Sequence, residues 1–224
     1  MLKTEKCMTY GWDGAIRGMR NPMNSWHRSD SHNCVTYRED CWACDYDDVE
    51  CDCYYIGEKD LGLMKRLAKA GSEHAKYLRM IHIQMDIVAP LYWWKEFDTY
   101  KIGTVANSCS TMHKIHDKEF TMDDFSHEHM KEENLEWLDS TIDRLNRYRK
   151  MYNLAKEKYD WWQMIQMLPS SYNQRRTVDM NYQTALNIIE QRKNHRLDEW
   201  HTLCDALLEL PYMREIYEAG GANE

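Results

Sequence analysis

"RMIHIQMDIVAP", residues 79–90, is the stretch on which the fold class turns. Ile81, Ile83, Met85 and Ile87 alternate with His82, Gln84 and Asp86, the two-residue period of a strand with one buried face. Before it, "EKDLGLMKRLAKAG" (58–71) places Leu61, Met64, Leu67 and Ala68 at helical spacing, and Gly71 suits a left-handed helix end. After it, Pro90 suits the first turn of a helix "PLYWWKEFDTY", which Gly103 breaks. Further out, a short helix from about Trp12 must end before Pro22, because the residue preceding proline is pushed out of the helical region. "TMDD" (121–124) has the form of a capping box with Asp in place of Glu. From about Met130 to Tyr159, Leu138, Ile142, Leu145 and Tyr152 form one apolar stripe, predicting an amphipathic helix packed on a neighbour or another subunit. "WWQMIQML" continues as helix to Pro169, and "SSYNQRR" reads as a linker. Helices are then expected over about 179–193 and 197–210, with Pro211 separating a final short one. The order predicts an α+β fold, mostly helical, as one domain over residues 1–224 with an irregular excursion at 27–57.

Charge narrows the function classes. Twenty-nine Lys+Arg against 37 Asp+Glu leave a net charge of −8 over 224 residues, which argues against a protein that lives on nucleic acid or on anionic lipid. A small anionic ligand in one basic pocket is compatible with that balance. The longest apolar run, residues 87–94, is far too short to span a bilayer, and "MLKTEKCMTYGW" has no hydrophobic stretch of signal-peptide type, so a cytoplasmic location is expected.

Five of the eight cysteines crowd into residues 34–53: Cys34, Cys41, Cys44, Cys51 and Cys53. Cys41-x2-Cys44 with a second thiol pair is a donor set for tetrahedral zinc, but Cys51-x-Cys53 lacks the spacing of a common structural site. The alternative is five small apolar side chains, and no metal site is assigned. A redox role is weaker still, because Asp40, Asp45, Asp47, Asp48 and Glu50 would repel a thiolate. His113-x2-His116 and His127-x-His129 lack the His-x3-His spacing of a helical metal site and read as solvated surface. Phosphate-cradling glycine loops and the Gly-x-Ser-x-Gly elbow are absent.

Two stretches remain. "WWKEFDTYKIGTVANSCSTMHK" (93–114) mixes aromatics, charges and a Ser/Thr/Asn run in a way that suits a flat polar ligand. In "LPSSYNQRRTVDMNYQTALNIIEQRKNHRLDEW" (168–200), a helix advancing about 100° per residue would return Arg192 close to the face of Asn181, with Asn187 about a third of a turn away. Taken bare, such side chains are either ligand contacts or ordinary solvent contacts.

Together the two stretches resemble the flavin-dependent thymidylate synthase family. The half-buried strand, Ala-Pro, aromatic helix and Ser/Asn/Ser run come first, and Leu168-Pro169 and Asn181-x5-Asn187-x4-Arg192 follow at matching intervals. "AIRGMRNPMNSW" resembles the first helix of that family and the serine after it. The resemblance covers roughly residues 12–26, 60–114 and 160–205, and it implies a mostly helical fold with a small central antiparallel sheet. It further implies reductive methylation of dUMP, or a related pyrimidine nucleotide, to dTMP with FAD, NADPH and methylenetetrahydrofolate, in a homotetramer with sites between subunits. By the same resemblance Asn181, Asn187, Asn107, Lys101 and Ser25 would contact the flavin. Arg192 would be the catalytic residue against the uracil, with Ser110, Glu96 and Tyr100 at the nucleotide.

The sequence also departs from the family pattern. Thr99, Tyr100 and Lys101 stand where an Arg-His-Arg core is expected, Glu96 where Gln is, and Met112 where a later Arg is. Each bidentate arginine lost from a phosphate site removes charge-assisted hydrogen bonds of roughly 1.5–3 kcal/mol, and lysine supplies only a point charge. Two readings therefore stand: a divergent enzyme, or a non-catalytic nucleotide- or flavin-binding or assembly module descended from that family.

Overall fold

The computed structural model describes residues 2–33 and 54–220. Its elements are β1 (Lys3–Tyr10), α1 (Trp12–Arg20), β2 (His32–Asn33), β3 (Tyr54–Tyr55), α2 (Glu58–Lys69), β4 (His82–Pro90), α3 (Leu91–Phe97) and β5 (Thr104–Ser108). They continue with α4 (Thr111–Lys114), α5 (Glu132–Ala155), α6 (Lys158–Met167), β6 (Asn173–Asn181), α7 (Tyr182–Arg192), α8 (Asp198–Leu208) and α9 (Met213–Gly220). The fold is α+β and mostly helical, with a small antiparallel sheet in the order β1-β4-β6-β5. A separate two-stranded ribbon pairs His32 with Tyr55 and Asn33 with Tyr54. The cysteine-rich run that raised zinc chemistry lies outside the described residues.

The strand that fixes the class behaves as its period demands: Ile81, Ile83, Met85 and Ile87 are all buried. On its other face Asp86 accepts from Thr177 Oγ1 at 2.6 Å and from Arg175 Nη1 at 3.1 Å. Burial would raise the Asp86 carboxyl, but the Thr177 hydroxyl first, then Arg175 and Lys6, hold it below the usual carboxylate range. Pro90 closes β4 and stands just ahead of α3, one residue earlier than the sequence suggests. The Thr121 capping box forms with both of its reciprocal bonds, around a single 3-10 turn at Met122–Asp124.

Three expectations are corrected. "SSYNQRR" is not a linker and no helix starts at 179: β6 occupies Asn173–Asn181 and α7 starts only at Tyr182. Its strand character was hidden because only Gln174, Val178 and Met180 are buried along a chain otherwise rich in charge. β1 and β5 also went unread; they are edge strands of mostly exposed residues, held by backbone pairing rather than by an apolar face. The long helix expected over 130–159 is broken at Lys156, whose φ of 56° ends α5 before α6 begins.

Chain packing divides into two compact units. One comprises Met1–Cys7, Gln84–Asp179 and Arg192–Leu203. Its core joins Ile115, Phe120 and Phe125 to Leu138, Ile142 and Leu145 of α5 and Met164 of α6. Asn146 is one of the buried polar residues of this unit, and it is satisfied on both sides: its Oδ1 accepts from Phe120 N at 2.9 Å and its Nδ2 donates to Phe120 O at 2.8 Å.

The other unit comprises Met8–Ile83, Met180–Gln191 and Cys204–Glu224. Trp12 packs edge-on against Tyr182 at 5.1 Å and Tyr212 at 5.8 Å, and the Tyr182 hydroxyl donates to Pro211 O at 3.0 Å. Arg20 and Asp60 form an ion pair at 2.6 Å with side chains 5% and 0% exposed. Gly11, at φ +87°, starts α1 with its missing Cβ only 2.1 Å from the Met80 carbonyl oxygen. Gly11→Ala is therefore expected to cost about 1–2 kcal/mol for the left-handed backbone alone, with the clash added, read as a lowered thermal midpoint.

Candidate active site

In the first unit, α3 buries Trp93, Trp94 and Phe97 completely, which leaves Glu96 on its half-exposed side and Tyr100 in the turn that follows. The first turn of α3 is anchored by Leu91 N to Tyr172 O and Tyr92 N to Ser170 O, both 3.0 Å. The Trp94 indole donates to Gln174 O at 2.9 Å. Arg192, the last residue of α7, meets this aromatic platform. Its guanidinium lies 4.6 Å above the Trp200 ring and 5.6 Å from the Tyr100 ring, a cation–π arrangement that limits its swing.

Hydrogen bonds complete the positioning. Arg192 Nε donates to Tyr100 Oη at 2.9 Å and Nη1 donates to Glu96 Oε2 at 3.2 Å. The same carboxylate oxygen accepts from the Trp200 indole at 3.1 Å and has His195 Nε2 at 3.3 Å. Thus one glutamate oxygen accepts two hydrogen bonds with the His195 ring beside it, and among the described residues the guanidinium has no hydrogen-bond partner for Nη2. Close by, a short hydrogen bond joins the Tyr92 hydroxyl to buried Glu199. Burial, and then the Glu199 carboxylate that holds its proton, push the Tyr92 phenol well above its ordinary value.

The residues singled out in the sequence are placed as follows. Glu96, Tyr100 and Arg192 come together in one contact network. Lys101 and Asn107 are exposed, in the turn through Gly103 and on β5. The Ser110 hydroxyl accepts from His113 N at 3.1 Å, capping the short α4. Ser110 also lines a cavity of about 360 Å³ with Lys114, Lys118, Tyr172 and Arg175. His195 and Trp200 were not singled out, although their places three and eight residues after Arg192 mark them as neighbours once the turn into α8 is known.

In the second unit Asn181 is not on the helix face that the spacing suggested. It is the last residue of β6, and its Oδ1 accepts from Thr184 N at 2.9 Å and Thr184 Oγ1 at 3.0 Å, an N-cap for α7. Its Nδ2 is left to donate. Asn187 is exposed, and its Oδ1 accepts from Gln183 Nε2 at 3.2 Å. Gln183 Oε1 is buried and has no hydrogen-bond partner among the described residues. Ser25 is buried behind α1, its amide bonded to Arg20 O at 3.2 Å and its carbonyl accepting from Arg20 Nη1 at 3.3 Å.

No protein-family model matches this chain, and no curated protein sequence matches it. Its fold, however, is that of the flavin-dependent thymidylate synthases. A structure of that synthase from Helicobacter pylori, complexed with FAD and dUMP, is similar over 96% of this chain and 98% of its own, with a TM-score of 0.64 at 17% identity. A second Helicobacter pylori structure, also with FAD and dUMP, covers 99% of this chain and 100% of its own at the same TM-score and 16% identity.

Proposed function

We propose that the protein binds FAD and a dUMP-like pyrimidine nucleotide and acts as a divergent flavin-dependent thymidylate synthase-like enzyme. NADPH and methylenetetrahydrofolate are its co-substrates, in a cytoplasmic homotetramer. The observation that carries this reading is Arg192, held in one pose by Tyr100, Glu96 and the Trp200 ring, with no partner for Nη2 among the described residues. A guanidinium so fixed stabilises the negative charge that develops on a pyrimidine carbonyl as C5 becomes nucleophilic, and it does so without reorganising.

The chemistry of the α7 donor set fits the flavin. An isoalloxazine presents an imide edge of two carbonyls flanking one N–H. Asn181 Nδ2 and Asn187 Nδ2 are amide donors for the carbonyls, and the unpartnered Gln183 Oε1 is an acceptor for the N–H. A buried acceptor without a partner costs about 1–3 kcal/mol, which a bound imide N–H would relieve. Asn107, Lys101 and buried Ser25 stand as further flavin contacts, Lys101 as a point charge toward a phosphate. Bound FAD supplies the hydride-transfer chemistry. Ser110 and Glu96 contact the nucleotide, with Tyr100 as a stacking surface.

Glu96 also favours a second reading, a module that keeps the fold and has lost turnover, because its carboxylate already offsets the charge on Arg192. Titration of the purified protein with FAD, with and without dUMP, separates the outcomes. The proposed enzyme takes up FAD with a flavin absorbance band that dUMP perturbs, and its gene restores growth of a thymidine-requiring strain. FAD uptake without growth supports a flavin-binding module, restored growth defeats the module, and no FAD uptake defeats the enzyme.

A further inference from the structure

We propose that a second cavity, in the first unit and separate from the Arg192 cluster, is a binding site for a phosphomonoester carried on a planar ring. It has a volume of about 420 Å³ and lies where α4 meets the end of α5 and the start of α6. That volume is in the range of small-molecule sites, roughly 300–1,000 Å³. Its wall carries four nitrogen bases, His113, His116, Lys156 and Lys158, and no carboxylate. In a chain of net charge −8 such a wall is a local reversal of sign, and it selects an anion.

His116 adds an unpartnered ring nitrogen to that wall. His116 Nε2 faces the Asp117 carboxylate at 3.4 Å, while Nδ1 is buried without a hydrogen-bond partner among the described residues. Asp117 is itself held low, first by the Lys114 ammonium, and so stays an anion against that ring. A phosphate monoester can meet that nitrogen in either ring state, its own O–H donating to an unprotonated Nδ1 or its oxygen accepting from a protonated one. The chain around the ring is fastened: Asn153 Nδ2 donates to His116 O at 3.0 Å, and the His116 ring packs edge-on to Tyr152 at 4.8 Å.

Lys156 is the residue in left-handed conformation that ends α5, a position where glycine is the cheap choice. That backbone sets its ammonium 5.1 Å from the Tyr152 ring centroid and 3.3 Å from Asn153 Oδ1. Strain of this kind persists where the surroundings over-determine it, often at a ligand site. The ring requirement comes from Trp161, whose indole plane is fixed by its N–H bond to Met112 O at 3.1 Å, so that a flat partner stacks without reordering it.

Calorimetric titration of the full chain with phenyl phosphate, inorganic phosphate and phenol tests this. Phenyl phosphate is expected to saturate below about 1 mM, at least tenfold tighter than inorganic phosphate, with no measurable binding of phenol. The exposed-site double substitution Lys156→Ala with Lys158→Ala is expected to weaken phenyl phosphate at least tenfold, and His116→Ala likewise, with far-ultraviolet circular dichroism unchanged. Trp161→Ala is expected to erase the preference for the aryl ester. Arg192→Ala, which leaves this cavity intact, is expected to bind phenyl phosphate as the parent does. Absence of saturable binding, equal affinity for the two phosphates, indifference to the lysine substitutions, or loss of binding in Arg192→Ala would each overturn the proposal.

Discussion

Replacing Asp60 by alanine is expected to destabilise the protein by about 3–5 kcal/mol, a large part of the 5–15 kcal/mol typical of a whole domain. The carboxylate is fully buried and accepts from Arg20 Nε at 2.6 Å, Ser29 Oγ and Ser31 Oγ at 2.7 Å each, and Asp30 N at 3.0 Å. Truncation removes the one anion bonded to Arg20 among the described residues and leaves a guanidinium 5% exposed without that counter-charge, together with three other orphaned donors. The same geometry sets a pH dependence. Burial pushes the Asp60 carboxyl up, but the hydrogen bonds from Ser29, Ser31 and Arg20 outweigh it and hold the group below its ordinary value. Its contribution is therefore fully present above the unfolded carboxyl value near 3.9 and is lost as pH falls through the lower folded value. Urea unfolding of parent and Asp60→Ala should show the widest gap near neutrality, narrowing only in strong acid. An equal gap at all pH values would contradict this account.

Loss of Arg192 is the second large effect. On the proposed reading, Arg192→Ala removes the preorganised donor at the pyrimidine carbonyl and is expected to lower turnover by 10²–10³. Lysine should not rescue it, since an ammonium cannot reproduce the fork that bonds Tyr100 Oη and Glu96 Oε2 at once. Glu96→Gln tests the opposing term. It removes the carboxylate that competes for the guanidinium at 3.2 Å while keeping an oxygen for the Trp200 indole. An ionic hydrogen bond is worth about 1.5–3 kcal/mol, so dUMP binding should strengthen by about tenfold or more. If Arg192→Ala leaves nucleotide binding untouched, Arg192 is not a ligand residue; if only Glu96→Gln is silent, Glu96 does not mask it.

Much of the candidate site was legible as a list and not as a geometry. Arg192 and Asn187 stand on or at the end of a helix as their spacing suggested, and Tyr100 and Glu96 lie beside Arg192. The sequence did not reveal that Glu96 pairs with that arginine, because the two are 96 positions apart and nothing local couples them. Asn181 was assigned to a helix it only caps; Asn is at home in both roles, and the choice depended on where β6 ended. Gln183 drew no attention, since a buried amide oxygen without a partner is a property of packing alone.

Local physics was enough wherever one residue's conformational limits or one clear period decided the outcome. Alternation along 81–87, the turn at Gly71, the Thr121 capping box and the apolar stripe of α5 were all written in neighbouring residues, whereas Asn21 keeps helical angles ahead of Pro22 and α1 passes into a 3-10 turn over Asn21–Met23 instead of stopping. Tertiary structure decided β1, β5 and β6, whose side chains are largely exposed or charged and whose strand form comes from backbone groups bonding across the sheet. It also decided the Arg192 network, because hydrogen bonds between distant residues are set by how packed elements meet and leave no periodic trace along the chain.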